Sequence, residues 1–277
     1  MSDHTTEAPL NEIFRPGAVD DLAVRRMVEA LDGQDGAPSI QRLRGWTLAA
    51  AQLLPGMTVV DVGSGTGTMC RHFAGVVGAE GRVVGVEPNP VLRGVAEQRA
   101  AEAEVAVEFV EAFAADLPFE DASIDVVWCE RVLQHLPEPQ EAVTEIARVL
   151  KPGGRALLLD SDHETRVDSD IDPEVARAIK EAFVGQIANP RAARHVRRQA
   201  MAAGREVDPA IGSTALGVPL ELLREAPLLR LSADQAVVDG MVTREQADEA
   251  VRAHTEAAAN GWALSAITVF SFVATKP

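Results

Sequence analysis

Three glycines follow a short apolar run in the stretch 58–67, which reads TVVDVGSGTG. Glycine has no Cβ and tolerates positive φ, so a turn containing Gly63, Gly65 and Gly67 lets the backbone approach a ligand closely. The next apolar run ends at Glu87, 20 residues after Gly67. A carboxylate at the end of a second parallel strand can accept hydrogen bonds from both hydroxyls of a ribose. Together these residues predict a nucleoside-containing cofactor on the first half of a doubly wound sheet.

The spacing of the glycines separates the cofactor classes. The dinucleotide fingerprint G-x-G-x-x-G/A requires a third small residue, and that position is occupied here by Thr68. A nicotinamide-dependent oxidoreductase therefore stays an alternative that Thr68 disfavours. The chain contains no G-x-x-x-x-G-K-[ST] sequence, which disfavours a P-loop NTPase.

Composition narrows the partners. The 277 residues include 42 acidic and 26 basic side chains, a net charge of −16, which repels phosphate backbones and predicts no nucleic-acid partner. The two cysteines, Cys70 and Cys129, lack metal-ligand or redox spacing and are expected to be buried free thiols. The sequence shows no N-terminal signal and no apolar run of about 18 residues, so we expect a cytoplasmic protein without a membrane partner.

The order of the predicted elements indicates an α/β fold. Apolar runs predict strands at 59–62, 82–87, 105–110, 124–129 and 156–160. Helical patterns lie between them at 69–77, 90–101 and 142–150. Repeated β-α-β units imply right-handed crossovers and a parallel sheet whose ligands bind at the carboxyl ends of the strands.

Further elements flank this series. Helices are predicted at 22–31 and 40–54 before it, with Gln34 to Trp46 as a candidate lid or, equally, as part of a plain hairpin on the sheet. Helices at 173–187 and 191–203, a strand within 206–214 and a last strand at 265–273 follow it. Ser232 and Thr243 each have Gln three residues later, the signature of a capping box at a helix start.

The motif DVGSGTG resembles motif I of the class I S-adenosylmethionine (SAM) dependent methyltransferases. The segments PFEDASIDVVWCERVLQHL and EPQEAVTEIARVLKPGGRALLLD resemble the family's fourth strand and its following helix, turn and fifth strand. The resemblance runs from about Leu54 to Pro277, is dense between 58 and 160, and favours the small-molecule type. It implies a Rossmann-like, doubly wound, seven-stranded and mostly parallel sheet with an antiparallel last strand. It also implies a helical lid at 1–54 and a SAM-binding domain at 55–277 with a helical insertion at about 163–203.

The same resemblance assigns cofactor contacts position by position. The methionine portion of SAM would lie on the glycine loop, its amino group near Asp61 and the carbonyl of Glu130, and its ribose on Glu87. The full set of expected cofactor residues is Asp61, Gly63, Ser64, Gly65, Gly67, Glu87, Pro88, Asn89, Phe113, Ala114, Glu130 and Arg131.

The adenine segment departs from the family pattern. Where the family has G-D-A, with the Asp accepting from the adenine amine, this chain reads Ala112-Phe113-Ala114. Asp116 is acidic but out of register. We expect the backbone of Ala114 to read the adenine and Phe113 to contribute apolar contact.

The implied reaction is methyl transfer from SAM to an O, N or C atom of a small-molecule acceptor, leaving S-adenosylhomocysteine. Orientation alone supplies about 7–11 kcal/mol of such a barrier, so a base is needed only for an acceptor with a tightly held proton. Tyrosine is absent, so no Tyr base exists. His163, after the fifth strand, is the first candidate for the base, and His135, after the fourth, is the second. The alternative for both is a hydrogen-bonded loop histidine.

Two clusters near the predicted site have competing interpretations. Asp160, Asp162, His163 and Glu164 are nearly consecutive and are not expected to converge on a metal ion. The basic run 191–198 either holds an anionic group of the acceptor or pairs with the acidic surface. The missing adenine Asp also keeps open a SAM-binding protein without methyl transfer, either pericyclase-like or a scaffold.

Overall fold

The computed structural model describes residues 21–277. Two helices, α1 (Asp21–Asp35) and α2 (Pro38–Ala51), precede the alternating core. The core consists of β1 (Thr58–Val62), α3 (Thr68–Val77), β2 (Arg82–Val86), α4 (Pro90–Glu102), β3 (Glu108–Val110), β4 (Ile124–Glu130), a 3-10 turn (Leu133–His135), α5 (Pro139–Val149) and β5 (Leu150–Asp168). The rest consists of α6 (Pro173–Val184), α7 (Ala192–Ala202), β6 (Glu206–Val207), β7 (Gly212–Gly217), α8 (Leu220–Glu225), α9 (Pro227–Val238), α10 (Arg244–Ala259) and β8 (Ser265–Thr275).

The predicted doubly wound sheet is confirmed. Its strand order is β3-β2-β1-β4-β5-β8-β6, with β7 also paired to β8. The ladders among β1 to β5 are parallel, and β8 runs antiparallel to β5. The order reverses direction next to β1, which places the carboxyl ends of β1 and β4 at the switch point where such sheets bind ligands.

The sixth strand is interrupted. Val207 of β6 pairs with Ala274, whereas Gly212 of β7 pairs with Ser271 further back along β8. The predicted strand within 206–214 therefore divides into two pieces on one partner, and eight strands are assigned where seven were expected.

Both faces of the sheet are covered. On one face, α2 and α3 pack on the strands through Ile40, Leu43 and Phe73. On the other face, α5 and α7 contribute Ile146 and Val196 to the second cluster. Because β1, β2 and β4 are buried on two sides, each reads as a nearly continuous apolar run rather than an alternating one.

Helix α2 is part of this packing. Its Thr47 hydroxyl lies 2.8 Å from the Ser271 hydroxyl of β8, and both side chains are fully buried. Trp46 covers Gly212 so closely that a Cβ on Gly212 would lie 2.5 Å from the indole. This half of the predicted lid segment Gln34–Trp46 is thus seated on the sheet. The proposed lid domain 1–54 also includes residues 1–20, which lie outside the described residues.

A third core cluster joins α6, α9 and α10 through Ile179, Leu229 and Ala250. It includes the predicted helix at 173–187, whereas the predicted helix at 191–203 packs on the sheet as α7. None of the helices between residues 21 and 277 is long and apolar enough to span a bilayer.

The capping predictions have opposite outcomes. Thr243 forms the predicted capping box with Gln246 at the start of α10. The prediction for Ser232 was wrong, because Ser232 lies inside α9, where its hydroxyl donates to the Leu228 carbonyl. The helix instead begins after Ala226 with Pro227 in its first turn, a position that suits proline because it has no N–H to lose.

Strand β5 extends well beyond its predicted end at residue 160. It continues to Asp168 and pairs again with β8 at Val167 and Ala266 after an irregular stretch. The extension carries His163 past the carboxyl edge of the parallel strands. This part of β5 therefore projects beyond the end of β4.

Candidate functional site

The glycine turn after β1 adopts the conformation that its residue types predict. Gly63, Gly65 and Gly67 have φ of +70°, +53° and +72°, the left-handed region that favours glycine. The amides of Gly63 and Ser64 both donate to the Val86 carbonyl and tie the turn to β2. The turn thus presents bare backbone at the carboxyl edge of the sheet.

Glu87 lies directly beside this turn. Its side-chain carboxylate accepts from the Gly65 amide at 3.0 Å and from the Asn89 amide at 2.9 Å. Burial raises its pKa, and these two hydrogen bonds oppose that shift. Each carboxylate oxygen accepts one backbone hydrogen bond and retains a second lone pair for a ligand hydroxyl. The turn and the carboxylate are therefore in direct contact at the sheet edge.

Asn89 also has a structural role. Its side-chain oxygen accepts from the Val91 and Leu92 amides and caps α4, which begins at Pro90. Asn89 is buried and Pro88 is half-buried at the same edge. Both positions flank Glu87, and the cap fixes the direction in which the chain leaves β2.

Asp61 is buried within the sheet. It is 3% exposed, within β1, and its carboxyl accepts from the Cys70 thiol at 3.4 Å. Burial raises the pKa of Asp61 to about 8, so the group is mostly neutral at pH 7. Cys70 and Cys129 are both buried free thiols, as predicted.

Two charged residues at the end of β4 contact the N-terminal helices α1 and α2. The Glu130 carboxylate accepts from Arg44 Nε of α2 at 2.8 Å and from Trp128 Nε1 at 3.3 Å. Arg131, in the left-handed region with φ of +57°, contacts Gln34 through its guanidinium and lies 3.5 Å from Asp35. Arg44 also donates to Asp35 at 2.6 Å.

Helix α1 crosses the glycine turn. A methyl of Leu31 lies 3.7 Å from the position that a Cβ on Gly65 would occupy. On the same helix, Asp32 forms a two-point ion pair with Arg99 of α4 at 2.6 and 2.7 Å. Helix α1 therefore covers the glycine turn and is tied to α4 beside it.

The expected adenine segment forms a tight turn after β3. The Asp116 amide donates to the Phe113 carbonyl at 3.0 Å, and the Phe113 ring is 59% exposed. Ala114 is buried beside it. An exposed ring next to the carboxyl end of β3 is available for the apolar contact that the sequence predicts.

A chain of three polar side chains lies on the acceptor side of the sheet edge. The Gln134 amide links His135 Nε2 at 3.1 Å to His163 Nε2 at 2.8 Å. Burial and the charge of Arg131 lower the pKa of His135 to about 4. Burial, with a smaller effect of His135, also lowers the pKa of His163 to about 4. Both rings are therefore neutral at pH 7.

The hydrogen-bond partners of Gln134 fix the tautomers. Its Nε2 lies 3.3 Å from the Arg131 carbonyl, which can only accept, so the amide nitrogen must be on that side. The amide oxygen then faces His163, and His163 Nε2 must carry the proton. His163 Nδ1 consequently holds a lone pair, and this buried atom has no partner among the described residues.

The acidic residues after β5 have partners of their own. Asp160 accepts from the Ser161 and Gln134 amides, and burial raises its pKa to about 7. Arg194 of α7 pairs with Asp162 and Glu164. In the part of the chain that the structure describes, no three His, Cys, Asp or Glu side chains are grouped to hold a metal ion.

The basic run 191–198 pairs within the molecule. Besides the contacts of Arg194, Arg191 binds Glu164. Of the two interpretations of this run, pairing with nearby acidic groups is therefore the one that the structure contains. Arg198 lies on the exposed face of the same helix.

The chain is similar to known methyltransferases. Residues 60–158 match the family model described as "Methyltransferase domain". Over 117 residues the chain is 38% identical to the ubiquinone/menaquinone biosynthesis C-methyltransferase UbiE of Ectopseudomonas mendocina, covering 42% of this chain and 46% of that protein. Residues 60–158 therefore match a methyltransferase domain, and this part of the chain is similar to named methyltransferases.

Solved structures share the fold of this chain. A putative methyltransferase from Bacillus halodurans aligns with a TM-score of 0.59 and 21% identity, over 84% of this chain and 98% of that one. The [4+2]-cyclase SpnF aligns with a TM-score of 0.53 and 20% identity, over 85% and 80%. The chain spans between 41% and 65% of the length of the curated relatives it matches.

SAM is the cofactor of the family, and the residues of this site fit it. The turn has room only for bare backbone, since a Cβ on Gly63 would lie 2.4 Å from Val132. Glu87 has spare lone pairs for ribose hydroxyls beside it. Further along the edge, buried polar atoms of Ser64, Glu130 and Arg44 have no partner among residues 21–277. Such orphaned groups suit a ligand with a charged amino-acid end.

Sequence reasoning missed Arg44, Asp35 and Gln134. Arg44 and Glu130 are 86 residues apart, and Gln134 is 29 residues from His163. The pattern around Arg44 reads only as an amphipathic helix. An arginine on the apolar face of that helix was the available signal, because such a residue is almost never fully buried without a partner.

Proposed function

We propose that this protein transfers the methyl group of SAM to a small-molecule acceptor. One observation carries the proposal: the buried Glu87 carboxylate is bound to the Gly65 amide at 3.0 Å, so ribose acceptor and glycine turn share one space. When bound, SAM supplies an activated methyl group on its sulfonium. The curated relatives named as C-methyltransferases of ubiquinone and menaquinone biosynthesis support a small-molecule acceptor.

In this proposal the expected cofactor residues keep their roles with one change of emphasis. Gly63, Ser64, Gly65 and Gly67 carry the methionine portion, and Glu87 holds the ribose. Pro88, Asn89, Phe113 and Ala114 line the nucleoside side, with Glu130 and Arg131 at the opposite end. Asp61, neutral and hydrogen-bonded to Cys70, supports the turn from below.

His163 is the proposed base on the acceptor side. Its Nδ1 lone pair, set by the Gln134 amide, can accept the proton of an acceptor atom as the methyl group arrives. His135, at the other end of the same amide, helps fix that arrangement. Helix α1 is the proposed lid, since it crosses the glycine turn through Leu31.

A second candidate function is SAM binding without methyl transfer. It is favoured by the low pKa of His163, about 4, which makes the ring a weak base at pH 7. Formation of S-adenosylhomocysteine during incubation with SAM and hydroquinone-type acceptors would exclude this alternative. SAM recovered intact while the acceptor rearranges would support it.

Calorimetric titration with S-adenosylhomocysteine tests the proposal. We expect Glu87→Ala to weaken binding at least tenfold, because hydrogen bonds from hydroxyls to a charged carboxylate are lost. Glu87→Gln, which keeps one acceptor oxygen, should show a smaller loss. The matched control is Glu108→Ala, which removes an exposed acid at the start of the next strand, β3, and should leave affinity unchanged. Unchanged affinity in Glu87→Ala, or no binding by the wild type, would contradict the assignment.

A further inference from the structure

Four charged side chains meet between α1, α2 and the end of β4. Arg44 lies at the centre and donates to Glu130 at 2.8 Å and to Asp35 at 2.6 Å. Arg131 lies 3.5 Å from both carboxylates. Burial disfavours the charge on Arg44, but the facing carboxylates raise its pKa above the ordinary range, so it stays charged. We call Arg44, Glu130, Asp35 and Arg131 the charged cluster.

The charged cluster is incomplete. Arg44 Nη1, Glu130 Oε1 and Arg131 Nε are buried, and none has a hydrogen-bond partner among the described residues. A buried charged atom without a hydrogen-bond partner is strongly unfavourable. Glu130 Oε1 and Arg131 Nε are ion-paired with each other at 3.5 Å but form no hydrogen bond, and Arg44 Nη1 has no hydrogen-bond partner among the described residues, so each atom can still bind a ligand group.

The charged cluster adjoins the glycine turn. The carboxyl of Asp61, two residues before Gly63, is close enough that the charges of Glu130, Arg44 and Asp35 all shift its pKa. Leu31, one turn before Asp35 on α1, covers Gly65. Val62 pairs with Val86 of β2 on one side and with Cys129 of β4 on the other, so Glu87 and Glu130 follow β1's two neighbours on opposite sides of the glycine turn.

We propose that Arg44 and Glu130 bind the two charges of the cofactor's amino-acid end. Arg44 Nη1 donates to the α-carboxylate, and Glu130 Oε1 accepts from the α-ammonium. This inference rests on the proposed function, because it takes SAM as the ligand. It replaces the main-chain carbonyl of Glu130 with the side chain as the principal acceptor and adds a residue of α2 to the site.

Charge balance explains why both groups are needed. Two arginines and two carboxylates make the charged cluster neutral, and a zwitterion keeps it neutral. A ligand with only a carboxylate or only an ammonium would add an uncompensated buried charge, which is strongly unfavourable. The charged cluster should therefore select adenosyl compounds with an intact α-amino acid.

The experiment compares two ligands that differ only at this end. Calorimetry is run with S-adenosylhomocysteine and with 5′-methylthioadenosine, which keeps the adenosine and the thioether but has no amino acid. We expect Arg44→Met and Glu130→Gln each to weaken S-adenosylhomocysteine at least tenfold, about 1.4 kcal/mol, and to change 5′-methylthioadenosine less than twofold. Arg82→Met, which removes an exposed ion pair on β2, is the matched control and should change neither.

The outcomes distinguish the binding roles of Arg44 and Glu130 from the proposed function itself. Equal losses for both ligands would mean that Arg44 and Glu130 only stabilise the fold. No loss for either ligand would exclude contact with the amino-acid end. Both results would overturn the proposed binding roles of Arg44 and Glu130 and leave the proposed function standing. Glu130→Gln guards against misfolding, because it keeps the volume and an acceptor for Arg44. If the wild type binds neither ligand, the proposed function fails, and the proposed binding roles of Arg44 and Glu130 fail with it.

Discussion

At the scale of single residues, the site depends on atoms whose hydrogen bonds are decided by their neighbours. The Arg131 carbonyl orients the Gln134 amide, the amide oxygen places a proton on His163 Nε2, and the lone pair remains on Nδ1. A backbone oxygen thus determines which ring nitrogen can act as a base. Glu87 shows the same dependence, since two backbone amides hold its carboxylate toward the turn.

Replacing Gln134 tests the tautomer. In the wild type at pH 7, long-range ¹H–¹⁵N NMR should find His163 neutral with its proton on Nε2. In Gln134→Met, which removes both hydrogen bonds at similar size, we expect a mixture of tautomers. In Gln134→Glu a carboxylate faces both rings, so the pKa of His163 should rise from about 4. An Nδ1–H tautomer in the wild type would contradict the proposed base.

At the scale of elements, α2 connects α1 to the sheet. Its buried face packs on β7 and β8 through Trp46 and Thr47, while Arg44 reaches the cofactor end. Helix α1 contacts the turn mainly through Leu31 and is held to α4 by the Asp32–Arg99 pair, where Asp32 is 42% exposed. The exposed pair is worth little, whereas the buried Asp35–Arg44 pair at 2.6 Å holds the C-terminal end of α1 to α2.

A glycine on β7 tests the seating of α2. Gly212→Ala would place a Cβ 2.5 Å from Trp46 and 3.0 Å from Leu43, so the helix must shift. We expect a loss of about 1–3 kcal/mol in the free energy of unfolding, measured with urea. The control is Gly75→Ala in α3, where a Cβ meets no atom within 4 Å and the change to alanine favours the helix by about 0.5–1 kcal/mol. Equal stability in the two variants would show that α2 is not packed in this way.

At the scale of the whole molecule, buried ionisable groups give stability two opposing pH limits. Asp61 and Asp160 have pKa values of about 8 and 7, raised by burial from 3.8. The folded state therefore holds more protons than the unfolded state above pH 4, and stability falls as pH rises toward 8. His135 and His163, lowered from 6.5 to about 4, release protons on folding, so their contribution is lost as pH falls from 6.5 to 4.

Asp61→Asn separates the alkaline limit from the rest. Asparagine keeps the size of the side chain and an acceptor for the Cys70 thiol but cannot ionise. Between pH 5 and pH 7 each raised carboxyl contributes a slope of up to about −1.4 kcal/mol per pH unit. We expect urea unfolding of Asp61→Asn to show a flatter decline than the wild type over that range. Parallel pH profiles for the two proteins would mean that Asp61 is ionised in the folded state.

The sequence by itself determined the parallel sheet, a strand at the end of the chain, the glycine turn and the carboxylate at Glu87; that the last strand runs antiparallel was implied only by the family resemblance. These features are local: apolar runs, a φ that only glycine adopts freely, and a fixed distance along one β-α-β unit. The tertiary structure alone decided that Arg44 meets Glu130, that Gln134 joins two histidines, and that β5 continues past the sheet edge. The Gln134–His163 and Arg44–Glu130 contacts join residues 29 and 86 positions apart, and a distance of that length leaves no periodic signal in the chain.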